Sequence, residues 1–254
     1  MGWAPLNMQT TDAKILFLDI ETAPSLGWVW GKYEQNVIDF KSDWYMLSYA
    51  YKWATDKKVT AVALPDFSEN FKADVEDDHA LSLSLWSLLD EADIVVAQNG
   101  DSFDIKKINT RFLIHKMTPP SPYKTIDTLK IARKVFAFDS NKLDDLCHYL
   151  GIGRKLPHTG FHLWRSCMAG NLKAWAIMRK YNAHDVELLE QVYYRMREWA
   201  PTHPNVNKGD LYKCPRCGSD KVQRRGFSYT KLRKKQRYQC LSCCGWYEGA
   251  AKKV

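Results

Sequence analysis

Three acidic segments have the residue types and spacing for metal-assisted chemistry. They are Asp19 and Glu21 in FLDIET, Asp104 in QNGDSFDI, and Asp185 in KYNAHDVELL. The first pair follows an apolar run, KILFL, that reads as a buried strand. At i and i+2 on a strand, both carboxylates point to one face. The last segment opens a helical pattern in which Tyr181 and Asp185, four apart, share a face. Four carboxylates converging on one spot repel one another unless cations neutralise them. Two divalent metals would cancel that charge and are suited to hydrolysing a phosphodiester. Oxygen-only ligands favour Mg²⁺ or Mn²⁺ over zinc. A single D-x-E after an apolar strand would say little, since strand ends are often acidic and solvated. The order of all three segments carries the argument.

Elements must position these acids. Apolar, β-rich runs at 14–20, 44–53 and 58–64 read as a three-strand antiparallel unit opening the fold. Helical spacing follows at 80–92, then a short buried strand at 93–98. A helix runs from Asp104 to about His115, ended by the Pro119–Pro122 cluster. A last short strand is predicted at Thr125–Asp127, with helices near 128–137, 142–150 and 171–199. Strands first, then strands alternating with helices, argue for an α/β fold with a mixed sheet.

The order D-x-E, N-G-x-x-F-D, Y-x-x-x-D resembles that of the DnaQ-like 3′–5′ exonucleases of the ribonuclease H-like fold. It matches their DEDD subgroup with a tyrosine in the third motif, which includes the proofreading domains of family B DNA polymerases. The segments TIDTLKIARKVF and NKLDDLCHYLGIGRK look like the region between the second and third motifs. APSLGWVWGKYEQNV, HPNVN, CPRCG and YQCLSC are similar to phage-encoded predicted exonucleases with a C-terminal zinc ribbon. The resemblance implies a five-stranded mixed sheet flanked by helices. It also implies roles: Asp19 bridging both metals, Glu21 and Asp185 holding the metal that activates water, and Asp104 holding the second. Tyr181 would orient the water, because a phenol with a pKa near 10 is a poor base at neutral pH. His184 lies beside Asp185 and points about 100° away on a helix, so it reads as incidental. Asn99, Phe103, Trp28 and Trp30 are candidates for contacting terminal nucleotides, since bases stack on aromatic faces. Asp127, Asp144 and Asp145 read as capping and structural residues.

The chain changes character near its end. From Pro201 onward there are 13 Lys+Arg and 3 Asp+Glu, a net of +10. The whole chain carries +8, so residues 1–200 carry about −2. A basic tail is an electrostatic footprint for a polyanion, most often nucleic acid. Cys147 and Cys167 read as core thiols. Cys214-x2-Cys217 and Cys240-x2-Cys243 read as a four-cysteine zinc ribbon, with Cys244 an alternative fourth ligand standing where glycine would be expected. Between the knuckles, Arg224, Arg225, Lys231, Arg233, Lys234, Lys235 and Arg237 interleave with aromatics, as suits a hairpin that tracks phosphates. The expected organisation is therefore a nuclease domain over 1–200, a linker over 201–210 and a zinc ribbon over 211–254.

These readings lead to a metal-dependent 3′–5′ exonuclease using two Mg²⁺ or Mn²⁺ and one structural Zn²⁺. Its expected partner is nucleic acid with a free 3′ end, DNA being favoured, with replication or recombination proteins as possible associates. The alternatives are a non-cleaving nucleic-acid-binding adaptor and a structure-selective endonuclease of the same fold. No apolar run approaches the length of a membrane span, and MGWAPLNMQTTDAK lacks the pattern of a signal peptide. The expected location is the cytoplasm, that of the host if the chain is phage-encoded.

Overall fold

The apolar run around residue 16 becomes the central strand of a five-stranded sheet. The structure, a computed structural model, describes residues 13–33, 36–207 and 212–253, the last four by backbone alone. Residues 1–12, where a signal peptide was not expected, lie outside the described residues. So do 34–35 and 208–211, which include the end of the expected linker.

Strand β1 (Ile15–Thr22) is followed by a small hairpin, β2 (Leu26–Trp28) and β3 (Asp39–Ser42). Next come β4 (Met46–Trp53), β5 (Thr60–Ala63), helices α1 (Ser68–Ala73) and α2 (His79–Glu91), and β6 (Ile94–Ala97). Helix α3 (Asp104–Ile114), β7 (Lys124–Asp127), α4 (Thr128–Val135), α5 (Leu143–Tyr149), α6 (Phe161–Met168) and the long α7 (Leu172–Met196) complete the large unit. The sheet order is β5-β4-β1-β6-β7. β1 pairs antiparallel with β4 and parallel with β6, while β4–β5 is antiparallel and β6–β7 parallel. This is the ribonuclease H-like mixed sheet that the resemblance implies. Among the described residues, no helix is long and apolar enough to cross a membrane.

The two-residue period of β1 divides the core. Leu16, Leu18 and Ile20 pack with Leu81, Leu85 and Leu89 of α2 and with Ile108 and Phe112 of α3. Ile15 and Phe17, on the other face, pack with Val186, Leu189 and Val192 of α7 and Leu146 of α5. Each such buried side chain contributes roughly 1.5–3 kcal/mol. Phe17 meets Tyr193 and Tyr194 edge-on, with centroids 5.4 and 5.9 Å apart. Asp19 and Glu21 continue the odd-numbered face toward the middle of α7. That register fixes where the first two acids emerge.

A tight turn sets Asp104. Asn99 has a φ of 61°, a left-handed conformation that asparagine tolerates better than most residues. Its carbonyl accepts from the Ser102 and Phe103 amides, and its own amide donates to Asp127. A Cβ on Gly100 would stand 2.4 Å from the Ala97 Cβ, so only glycine fits where β6 enters α3. Asp127 also caps α4 by accepting from the Leu129 and Lys130 amides. At the opposite end of α3, fully buried Asp78 accepts from Arg111, His115 and the Met46 amide, tying α2, α3 and β4 together.

Several elements differ from the sequence expectation. The last long helix ends at Met196 and tightens into a 3₁₀ turn over Arg197–Trp199. The β2–β3 hairpin, α1 and α6 carry no expectation. They are short, and β2–β3 and α1 bury no apolar face that a periodic pattern would show.

The tail forms a separate three-stranded sheet in the order β10-β9-β8. Its strands are β8 (Val222–Tyr229), β9 (Arg233–Cys240) and β10 (Trp246–Lys253). Its buried cluster consists of Cys214, Cys217 and Cys240, with Val222 and Cys243 packed against them. The preceding segment is pinned rather than loose. His203 pairs with the Tyr193 hydroxyl at 2.7 Å, Val206 is buried, and its amide donates to the Pro215 carbonyl. Arg216 donates to the carbonyls of Glu198 and Ala200, docking the first knuckle on the end of the large unit.

Gly100→Ala is expected to destabilise the fold by about 1–3 kcal/mol, the usual cost of overpacking, and to displace Asp104. Urea unfolding would measure the loss. Wild-type stability in this variant would contradict the close-approach argument.

Candidate functional site

Asp19, Glu21 and Asp185 each place a carboxylate oxygen within 4.8 Å of the other two. Strand alternation presents the first two, and α7 lays Asp185 across them. Asp104 stands beside the trio and accepts a hydrogen bond from the Ile20 amide at 3.2 Å. The β1–β6 ladder ends at Phe17↔Val96, so β1 runs on with that edge open to the start of α3.

Burial governs the electrostatics. The Asp19 carboxyl is held well above its usual range by burial, then by the charges of Asp104, Glu21 and Asp185. Glu21 is pushed up to about 8 by burial and by Asp185. Asp104 is pushed up to about 7 by burial, against the lowering effect of backbone amides. Asp185 is raised by burial and partly relieved by Lys155. Tyr181 rises to about 12 through burial and the neighbouring Asp185 carboxylate, so its phenol keeps its proton at neutral pH.

Three neighbours carry no sequence expectation. Asn182 donates to the Asp19 carboxylate at 2.6 Å and accepts from the Ser48 hydroxyl at 3.1 Å, fixing the Asp19 rotamer. Lys155 donates to Asp185 at 2.6 Å and to the Tyr181 hydroxyl at 3.2 Å. Burial pulls the Lys155 ammonium down, but the Asp185 charge and hydrogen bond outweigh it and the net shift is upward. Trp164 hydrogen-bonds Glu21 and favours its ionised form. Asp144 accepts from the Lys155 amide, and His184 bonds the adjacent Arg154 carbonyl. His184 thus stays outside the acid cluster and steadies the loop that delivers Lys155. Asn182 could have been read from its helical position three before Asp185. Lys155 sits in a glycine-punctuated loop with no periodic signal.

The acid cluster fits hard divalent cations. The Asp185 Oδ1 is buried without a hydrogen-bond partner, an orphaned acceptor in a nest of carboxylates. One ammonium cannot neutralise four acids.

A cleft of about 500 Å³ opens next to this cluster. Trp44, Phe161 and Trp164 supply its aromatic surface, and Thr22, Ser25, Lys107 and His158 its polar groups. The His158 ring lies 4.7 Å from that of Tyr181, linking the cleft to the acids. Asn99, Phe103, Trp28 and Trp30 do not line it. Asn99 serves the turn before α3. Phe103 is half-exposed beneath Lys107, and Trp28 and Trp30 stand exposed on and after β2.

In the tail, Cys214, Cys217, Cys240 and Cys243 bring their sulfurs within 4.8 Å of one another. The Cys214–Cys243 and Cys217–Cys240 separations are both 3.7 Å. A tetrahedral zinc site with metal–sulfur bonds of about 2.3 Å has edges of roughly 3.8 Å, so this set fits the ion. Amides of Ser242 and Cys243 point at the Cys240 sulfur, as suits a thiolate. Cys244 is exposed with a φ of 61°, occupying the left-handed position that glycine ordinarily takes. Arg224, Arg225, Lys231, Arg233 and Arg237 are exposed on the hairpin, and Lys234 and Lys235 are half-buried.

A family model described as the RNase H superfamily matches residues 16–197, from β1 through the end of α7. No curated protein matches the chain.

The carboxyl shifts carry a sign. A folded-state pKa raised above 3.8 or 4.5 gives stability that is complete in acid and lost as pH rises through about 7 to 8 for Asp104 and Glu21. Without added divalent metal, the melting temperature is expected to fall between about pH 5.5 and about pH 8.5. Mn²⁺ is expected to recover the loss most fully at the alkaline end. A melting temperature that climbs across this window without metal would contradict the buried-acid description.

A zinc ion held by these four sulfurs would supply the folding energy of so small a module. Chelation, or Cys214→Ser, is expected to open residues 212–253 to protease while the large unit stays resistant. An unchanged digestion pattern would show that the tail holds its fold without metal.

Proposed function

We propose, since the chain belongs to the RNase H superfamily, that it is a metal-dependent 3′–5′ exonuclease acting on nucleic acid, DNA being favoured. One observation carries the reading: three carboxylates within 4.8 Å, with Asp104 beside them, next to a cleft of nucleoside size. A cleft of that size suits one terminal residue of a strand better than a continuous duplex. The order of the acids and the tyrosine four before the last one support the exonuclease reading over other hydrolases of the superfamily.

Asp19, Glu21, Asp104 and Asp185 would hold two Mg²⁺ or Mn²⁺. When bound, such a pair would supply an activated water at neutral pH and charge stabilisation for the departing 3′ oxygen. The chain's own groups do the positioning. Asn182 holds the Asp19 carboxylate in one orientation. Tyr181 keeps its proton and orients a water by hydrogen bonding rather than by removing a proton. Lys155 sets an ammonium at the rim of the acids, where it offsets part of their charge and can meet a phosphate. Trp44, Phe161 and Trp164 offer apolar surface to the terminal nucleoside and limit water beside Glu21.

The domain reading follows: residues 1–200 cut, and 211–254 grip the strand through the basic hairpin. The intact acid set weighs against a non-cleaving adaptor. Asp19→Asn is expected to reduce cleavage of 3′-end-accessible oligonucleotides at least about a thousand-fold, as the loss of several kcal/mol of metal stabilisation implies. Folding and binding should persist, and circular single strands should resist the wild type. Retained cleavage by the variant would overturn the assignment. Attack on circles would convert it to an endonuclease.

A further inference from the structure

The tail's sheet has two chemically different faces. Along β9, Lys234, Gln236 and Tyr238 point to one side, and Arg233, Lys235 and Arg237 to the other, by the two-residue period of a strand. The register brings Phe227 opposite Gln236 and Tyr229 opposite Lys234, so both rings join the first face. There the Lys234 ammonium lies 4.0 Å from the Phe227 ring centre and 5.7 Å from that of Tyr229. The rings themselves are 6.4 Å apart. On the second face, Lys235 is paired with Glu248 at 2.7 Å, so part of its charge is already answered.

These aromatics are not core. The module's buried cluster is made of cysteine sulfur and Val222, whereas Phe227 is 39% and Tyr229 69% exposed. Neighbouring aromatic rings set among cations on a segment of net charge +10 present both attractions of an unpaired nucleic-acid strand. Phosphates meet the cations, and base faces meet the rings. A duplex offers the phosphates but hides its base faces. An acidic peptide offers charge without flat rings to stack.

We propose that the face carrying Phe227, Tyr229 and Lys234 binds single-stranded nucleic acid by stacking bases on the two rings. This deepens the exonuclease reading by naming the strand state that the tail holds, and it rests on that reading only for its consequence for cleavage.

The test uses the full-length, zinc-loaded protein in Mg²⁺-free buffer. Fluorescence anisotropy would follow its binding to labelled oligo(dT), oligo(U), a matched duplex and polyglutamate. Phe227→Ala combined with Tyr229→Ala is expected to weaken single-strand binding about 10- to 100-fold. Duplex affinity should stay within about twofold, and the salt dependence, which reports phosphate contacts, should not change. Tyr229→Trp should retain binding, and zinc content confirms that each variant is folded. Equal losses on single strand and duplex, no loss at all, or polyglutamate binding as tightly as the oligonucleotides would each overturn the proposal. The two readings fail separately. Wild-type protein that binds strands through these rings but never cuts with Mg²⁺ or Mn²⁺ sinks only the exonuclease. Cutting that is indifferent to the rings sinks only the platform.

Discussion

The mutual repulsion of buried carboxylates is the constraint on which the rest of the site depends. Two full charges within 4.8 Å repel by roughly 3 kcal/mol at an effective dielectric near 20. A single hydrogen bond offsets only about 1 kcal/mol of that. The site nevertheless surrounds its acids with groups that hold their geometry: Asn182 on Asp19, the Ile20 amide on Asp104, Trp164 on Glu21, and Lys155 on Asp185. One ammonium against four acids leaves most of the charge unanswered. Protons can meet that deficit in acid, and hard cations can meet it at neutral pH. The core makes the arrangement possible by clamping α7 across β1 through Phe17, Tyr193 and Tyr194.

Charge is divided unevenly along the chain. Residues 1–200 carry about −2, whereas the tail carries +10, the sign that complements a polyanion. The tail has almost no hydrophobic core, so its shape depends on four sulfurs. Arg216 sits between two of those cysteines and bonds the carbonyls that follow α7. The cysteine cluster and the seating of the tail on the large unit therefore share one knuckle.

What could be read in advance followed from period. Asp19 and Glu21 are two apart on an apolar strand, and Tyr181 and Asp185 four apart on a helix, so their shared faces were legible. Most of the sheet was equally legible, because β1, β4 and β6 are apolar runs. Lys155 was not, since it arrives from a loop between α5 and α6 whose path is set by Asp144 and His184. Trp44, Phe161 and Trp164 come from two places in the sequence, before β4 and on α6, and the packing of α6 against α7 brings the last two to the cleft. Trp30 and Asn99 owe their candidacy to residue type and segment alone: one stands exposed beyond β2 and the other builds the turn before α3.

The most direct measurement is anomalous diffraction from crystals soaked in Mn²⁺. One peak is expected within bonding distance of Asp19, Glu21 and Asp185 and a second beside Asp104, with the previously orphaned Asp185 oxygen turned to metal. Crystals that take up Mn²⁺ elsewhere while these carboxylates stay unligated, with Lys155 still paired to Asp185, would contradict it.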